Sequence, residues 1–310
     1  MSETLLTLKE IVVLRRLDPR GPFGLFGAKP IRALDGVSLS IGRGETLGIM
    51  GGSGSGKTTL AETATLRLTP DRGQILYQGQ DVTKLGGEAK KSARRRLQLI
   101  RQDARDSLAM EETVLKQFRH LLKDAGMPDD EARIGAALEQ VGLPSEFLAR
   151  TPLAMSGGQQ QRLAIARALV VNPQFVAADE PVSGVDPHLA LDMLRLMEKA
   201  QRERNIAYLL ISQDRKVISR LAHRTAVLYA GRLFEVAPTE RILTESKHPY
   251  THLFMGQEEG ALPADLETAG QTYAGCPWAA HCPLATEQCR QKAPAMREVA
   301  PGHMAACHAL

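Results

Sequence analysis

The residues Gly51-Gly52-Ser53-Gly54-Ser55-Gly56-Lys57-Thr58 follow the spacing G-x-x-x-x-G-K-[ST]. These types in this order bind phosphate. The glycines let the backbone curl so that successive N–H groups and a helix N-terminus face anionic oxygens. Lys57 then reaches the terminal phosphates, the Thr58 hydroxyl is placed to ligand magnesium, and Thr59 carries the loop into the helix. An ordinary flexible glycine loop has no need of Lys57-Thr58 at that position. Downstream, Phe175-Val176-Ala177-Ala178-Asp179-Glu180-Pro181 ends an apolar run in two carboxylates. Such a strand end holds Asp179 near the magnesium shell and leaves Glu180 to polarise an attacking water. By itself an acidic strand end is a common turn; next to the phosphate loop it completes a phosphoryl-transfer site.

These side chains require a strand before the loop, a helix after it and a second strand beside the first. Thr46–Met50 supplies the first strand and 57–68 the helix. Residues 5–14 and 74–77 also read as strands, as does 37–41, where Val37, Leu39 and Ile41 alternate with serines. Between 88 and 168 the amphipathic stretches 112–125 and 130–141, separated by Gly and Pro, predict an inserted helical subdomain. Residues 175–178, 187–203 and 206–211 return to the strand, helix, strand order of a parallel sheet flanked by helices. The segment 225–236, broken at Ala230-Gly231, predicts a closing hairpin. Past His248 the composition turns rich in Gly, Pro and Ala, which predicts a separate small module. The fold class expected is α/β: a mixed-sheet core, a helical subdomain and a small C-terminal module.

With 310 residues the chain has room for about two domains, which excludes a disulfide-stapled miniature or a disordered chain. Apolar residues make up 43% and charged residues 24%, as in ordinary globular proteins. Aromatics are only 4%, which argues against a nucleic-acid stacking surface, and the net charge of +4 creates no long-range field. The run Lys90, Lys91, Arg94, Arg95, Arg96, Arg101 and Arg105 reads as a solvated helix face. No stretch approaches the roughly 20 apolar residues of a membrane span, and the N-terminus lacks the pattern of a secretory signal. The expected location is therefore the cytoplasm, docked on a membrane if it works at one. All four cysteines, Cys276, Cys282, Cys289 and Cys307, follow residue 275, in a setting where disulfides are disfavoured.

The segment Met155-Ser156-Gly157-Gly158-Gln159-Gln160-Gln161-Arg162 resembles the signature sequence of ATP-binding-cassette (ABC) ATPases. Ser156 can cap a helix whose free N–H groups attract anions. In that family the helix end, here Ser156 to Gln159, meets the ATP held by a second subunit. The resemblance implies an Mg2+-dependent ATPase with a phosphate-loop NTPase fold, working as a head-to-tail dimer with two ATPs at its interface. It implies that Gln102, between core and helical subdomain, contacts magnesium or the attacking water. Ser183-Gly184-Val185-Asp186 resembles the loop that crosses to the other subunit, with Asp186 in the family's aspartate position. The aromatic that stacks on adenine would be Phe26, with Phe23 as the alternative.

Two departures stand out. Gln213 occupies the position where the family usually has a histidine that contacts the γ-phosphate and helps position Glu180. An amide donates a hydrogen bond but cannot become cationic or relay a proton. Either this chain's own ATP site is slow while its signature serves the partner's site, or Gln213 substitutes adequately. In addition, Asp103-Ala104-Arg105-Asp106-Ser107-Leu108-Ala109 lacks the prolines and asparagine common in peptide importers.

The stretches Ser246-Lys247-His248-Pro249-Tyr250-Thr251, Gly275-Cys276-Pro277 and Arg297-Glu298-Val299-Ala300-Pro301-Gly302-His303 resemble the C-terminal extension of dipeptide, oligopeptide and nickel importer ATPases. This divides the chain into an ATPase domain, 1–245, and an extension, 246–310. The arm Gly21-Pro22-Phe23-Gly24-Leu25-Phe26-Gly27 is similar to the second of the two unlike ATPases these importers use. The implied partners are a second ATPase subunit, two membrane permeases and an extracytoplasmic substrate-binding protein, on the inner membrane face and without nucleic acid. Peptide is the favoured cargo, with nickel or another small solute as alternatives. The cysteines, spaced C-x5-C-x6-C-x17-C, fit a [4Fe-4S] cluster better than zinc, which prefers closer pairs, with unligated thiols as the third reading. His281, His303 and His308 read as bystanders. The competing functions are a soluble cassette ATPase of DNA repair or translation, and a regulatory subunit that binds ATP without turnover.

Overall fold

The structure is a computed structural model in which residues 3–15, 31–257 and 273–310 are described. In chain order it runs β1 (Thr4–Arg15), β2 (Ile31–Gly42), β3 (Thr46–Met50), α1 (Lys57–Ala64), β4 (Arg72–Tyr77), β5 (Gln80–Asp81), α2 (Gly87–Arg96) and β6 (Leu97–Ile100). Helices α3 (Val114–Asp124), α4 (Glu131–Gln140) and α5 (Gly157–Leu169) follow, then β7 (Phe175–Asp179), α6 (Pro187–Arg204), β8 (Ala207–Ile211), α7 (Arg215–Leu221), β9 (Arg224–Tyr229) and β10 (Arg232–Pro238). The chain closes with α8 (Thr239–Glu245), α9 (Pro249–Phe254), α10 (Glu287–Gln291), β11 (Arg297–Ala300) and β12 (His303–Ala305).

Two sheets carry these elements. One is antiparallel, in the order β2-β1-β4-β5; the other has the order β11-β12-β10-β9-β3-β8-β7-β6. Its central pairs are parallel, with Leu47 opposite Leu209 and Ala178 opposite Leu210. Every residue of β3, β7 and β8 is buried, as expected of parallel strands covered on both faces. Successive residues then serve different cores: Ile49 and Leu209 pack with α1 and the antiparallel sheet, while Met50 and Leu210 pack with the helices on the other side. The site-bearing strands are thus clamped from both faces, with the phosphate loop and Asp179 at their C-terminal ends.

Two expectations need correction. Leu97–Ile100, inside the span assigned to the helical subdomain, is an edge strand of the main sheet, with Leu97 opposite Phe175 and Ile100 opposite Ala178. Four consecutive buried residues cannot be told from a helical turn by periodicity. The C-terminal segment is also not separate. β12 pairs antiparallel with β10, Glu235 opposite Ala305, and so covers an edge that would otherwise be open. Glu235 lies wholly inside this seam. Its carboxylate accepts the Lys247 N–H at 2.6 Å and the His248 N–H at 3.0 Å and pairs with His303 Nε2 at 2.5 Å. His303 therefore serves this seam as the partner of Glu235 and does not line the cysteine cavity. Arg232 adds a second tie, bonding Asp35 on β2 and the carbonyls of Tyr273 and Gly275.

The expected closing hairpin is β9 and β10. In the basic run, Lys91 and Arg95 pair with Glu88, Arg94 donates to the Leu66 carbonyl, and Arg101 pairs with Glu62 and Asp106. Among the described residues no helix is long and apolar enough to cross a membrane.

Candidate functional site

The loop joining β3 to α1 can be made only with glycine at its bends. Gly56 has φ +105°, and a Cβ there would run into the Ala33 carbonyl; at Gly51 it would meet the Leu228 carbonyl. Lys57, buried at the start of α1, donates from Nζ to the Gly51 oxygen at 2.8 Å and the Gly52 oxygen at 2.7 Å. Burial lowers its pKa, opposed by Glu180 and Asp179. The ammonium thus curls back on its own loop.

Thr58 and Asp179 meet directly, the Thr58 hydroxyl donating to Asp179 Oδ2 at 2.6 Å. Burial raises the Asp179 pKa. Two adjacent oxygen donors at a phosphate loop suit a hard cation such as Mg2+, which favours one or two protein oxygens plus substrate phosphates. Gln102 borders the same space.

Glu180 follows β7 in the left-handed region, φ +47°, a strained setting for a non-glycine residue. The turn aims its carboxylate at the end of β8, where Oε1 accepts the Gln213 backbone N–H at 3.0 Å and Oε2 accepts the Ser212 hydroxyl at 3.3 Å. Burial raises the Glu180 pKa, the direction that strengthens a base. Sequence reasoning passed over Ser212; its place beside Gln213 at the end of an apolar strand was the available signal.

A cavity of about 390 Å3 gathers these groups, lined by Ser53 to Thr59, Gln102, Asp179, Glu180 and Gln213. Gly51 and Gly52 stand behind it, engaged by Lys57. Phe26 and Phe23 lie outside the described residues.

Ser156 and Gln159 do not line this cavity. They form a reciprocal cap on α5: the Gln159 side-chain oxygen accepts the Ser156 N–H at 2.9 Å, and Ser156 Oγ accepts the Gln159 N–H at 3.4 Å. Gly157 and Gly158 border an adjoining groove of about 580 Å3 together with Thr58, Gln102 and Asp179. Asp186 caps α6, accepting the N–H groups of His188 and Leu189. The signature helix therefore presents an exposed N-terminus, with Ser156 and Gly157 at the surface.

Cys276, Cys282, Cys289 and Cys307 converge on one small cavity, with His248, Trp278 and His308 on its wall. Its accessible room is about 20 Å3, enough for about one water. Burial and the nearness of the other three cysteines push the Cys276 thiol up to about 11. Among the described residues no group of three or more His, Cys, Asp or Glu is arranged to hold a metal ion. The four cysteines are thus brought together as expected, but their arrangement gives no support to the expected [4Fe-4S] cluster.

The chain is similar to known proteins along both of its parts. The family described as ABC transporter matches residues 34–183, and the family described as oligopeptide/dipeptide transporter, C-terminal region, matches 234–289. The oligopeptide transport ATP-binding protein AppF of Bacillus subtilis (strain 168) is 36% identical over 92% of this chain and 92% of its own. The dipeptide transport ATP-binding protein DppF of Haemophilus influenzae is 34% identical, over 92% and 91%. Among solved structures, the dimeric structure of MJ0796, a bacterial ABC transporter cassette, superposes with a TM-score of 0.67 at 27% identity, covering 76% of this chain and 99% of that one.

Proposed function

Because the chain belongs to the ABC transporter family, in the branch that carries the oligopeptide/dipeptide C-terminal region, we propose that it is the ATP-hydrolysing subunit of a peptide importer. The observation that carries this reading is the convergence of Lys57, Thr58, Asp179 and Glu180 on one cavity in a chain that also bears the extension.

The loop amides and Lys57 bind and orient the phosphates of ATP, which turns hydrolysis into a positioned reaction. Thr58, Asp179 and Gln102 would hold Mg2+, which neutralises charge on the phosphates when bound. Glu180, kept in place from β8, accepts a proton from the attacking water. Ser156 to Gln159 complete the ATP site of a second ATPase subunit, and Asp186 lies on the loop facing it. That subunit is an unlike one in this proposal. ATP closes the pair, hydrolysis reopens it, and the motion passes to two permeases fed by an extracytoplasmic binding protein. The chain thereby sits peripherally on the inner membrane face, as the ATPase domain 1–245 with the extension 246–310 stitched to it. The cargo favoured is peptide, by likeness to the two transport proteins above.

Gln213 supports a second, narrower reading: this chain's own ATP site turns over slowly while its signature serves the partner's. Co-expression with its neighbouring permeases tests the main reading. A membrane complex whose ATPase responds to a peptide-loaded binding protein is expected; co-purification with nucleic acid and no permease overturns it.

A further inference from the structure

Tyr250 belongs to the C-terminal extension, yet its hydroxyl oxygen lies 3.2 Å from the backbone nitrogen of Gly52 and accepts that N–H. The two residues are 198 positions apart. Tyr250 is wholly buried, and its ring is fixed on several sides. Tyr229 lies at 4.6 Å between centroids, Trp278 at 5.1 Å and Phe254 at 5.6 Å. Its own N–H donates to His248 Nδ1 at 3.1 Å, which locks the start of α9. Burial pushes its pKa up to about 12, so the phenol stays neutral.

The other grip on this part of the loop is Lys57, through the carbonyls of Gly51 and Gly52. Lys57 is also the group that reaches for phosphate, so its three N–H donors are divided between loop and ligand. The tyrosine contact has no such conflict, because Gly52 lies behind the phosphate-lining residues Ser53 to Thr59. We propose that Tyr250 is a positioning residue for ATP binding: it holds the entry of the phosphate loop in its binding shape independently of how Lys57 divides its hydrogen bonds. Docking of the extension on the core thereby becomes a condition for tight nucleotide binding. This rests on the reading of the cavity as an ATP site, which the wild-type protein's own ATP affinity checks independently.

Tyr250→Phe in the full chain keeps the ring stack and removes only the hydroxyl. The dissociation constant for ATP, read with a fluorescent ATP analogue and by ATP competition, is expected to rise about two- to tenfold, the worth of one hydrogen bond. kcat at saturating ATP stays as in the wild type. Unchanged affinity, or a lower kcat at unchanged KM, overturns the proposal. Amide exchange on the wild type serves if the variant does not fold: Gly52 is expected to be protected with and without ATP, and exchange at the rate of a free loop amide in either state overturns the proposal.

Discussion

Glu180 is held by the backbone of Gln213, whose N–H donates to its carboxylate at 3.0 Å, so this contact does not depend on which side chain stands at 213. The side chain matters through what it offers to the γ-phosphate. Gln213→His leaves Glu180 in place and adds an imidazole. In the assembled ATPase pair the single-turnover rate at this chain's site is expected to rise at least about tenfold. An unchanged rate removes the idea of a slow site.

Glu180→Gln keeps the shape of the side chain and one acceptor oxygen for the Gln213 N–H, turns an amide NH2 to the Ser212 hydroxyl, and removes the base. ATP binding is expected to persist while kcat falls about 10²- to 10⁴-fold. Burial raises the Glu180 pKa, so the protonated, inactive form persists to higher pH than for an exposed glutamate. The wild-type pH profile should lose activity on its acid side above the usual carboxylate range. Glu180→Gln should abolish that limb from its residual rate.

His248 is buried and neutral, its pKa brought down to about 3 by burial. An unfolded histidine takes up its proton near pH 6.5. Between those values the unfolded chain binds a proton that the folded chain does not, so stability falls as pH drops. The contribution is whole above about pH 6.5 and is lost at about 1.4 kcal/mol per pH unit below it. Urea unfolding at pH 7.5, 6 and 5 (about; chosen to span this window) should show a steeper decline in wild type than in His248→Asn. Equal slopes would contradict the assignment.

The buried pair of Glu235 and His303 fastens the last strand to the core. Removing one partner strands the other without water. His303→Leu is expected to lower unfolding stability by about 3–5 kcal/mol, measured by urea titration. A loss below about 1 kcal/mol, the range of an exposed pair, would show that the seam does not depend on it.

The cavity shared by the four cysteines has room for about one water, which predicts protein without a stoichiometric iron–sulfur cluster. Metal and sulfide analysis after anaerobic purification checks this. Stoichiometric iron with a visible spectrum, both lost in Cys289→Ser, would show that the thiols rearrange into a cluster site.

Much of the catalytic centre was legible because its chemistry is local. The phosphate loop, Asp179 with Glu180, and the Ser156 cap each occupy a few consecutive residues with a spacing set by backbone geometry. What was missed depends on distance along the chain. Neither Glu235, an acid on a fully buried face, nor Tyr250 facing Gly52 has any marker in its own neighbourhood. Partners brought by folding justify both. The Leu97–Ile100 strand escaped for another reason: a short apolar run has no period to read. The convergence of the cysteines was anticipated from their clustering in the sequence.

β12 lies between β11 and β10, so the extension adds strands to the very sheet that carries the phosphate loop. Without positions 303–305, β10 has a bare edge and the Glu235 side chain loses His303. A chain truncated within the extension would therefore expose a pairing edge on the principal sheet, the kind of surface on which chains aggregate.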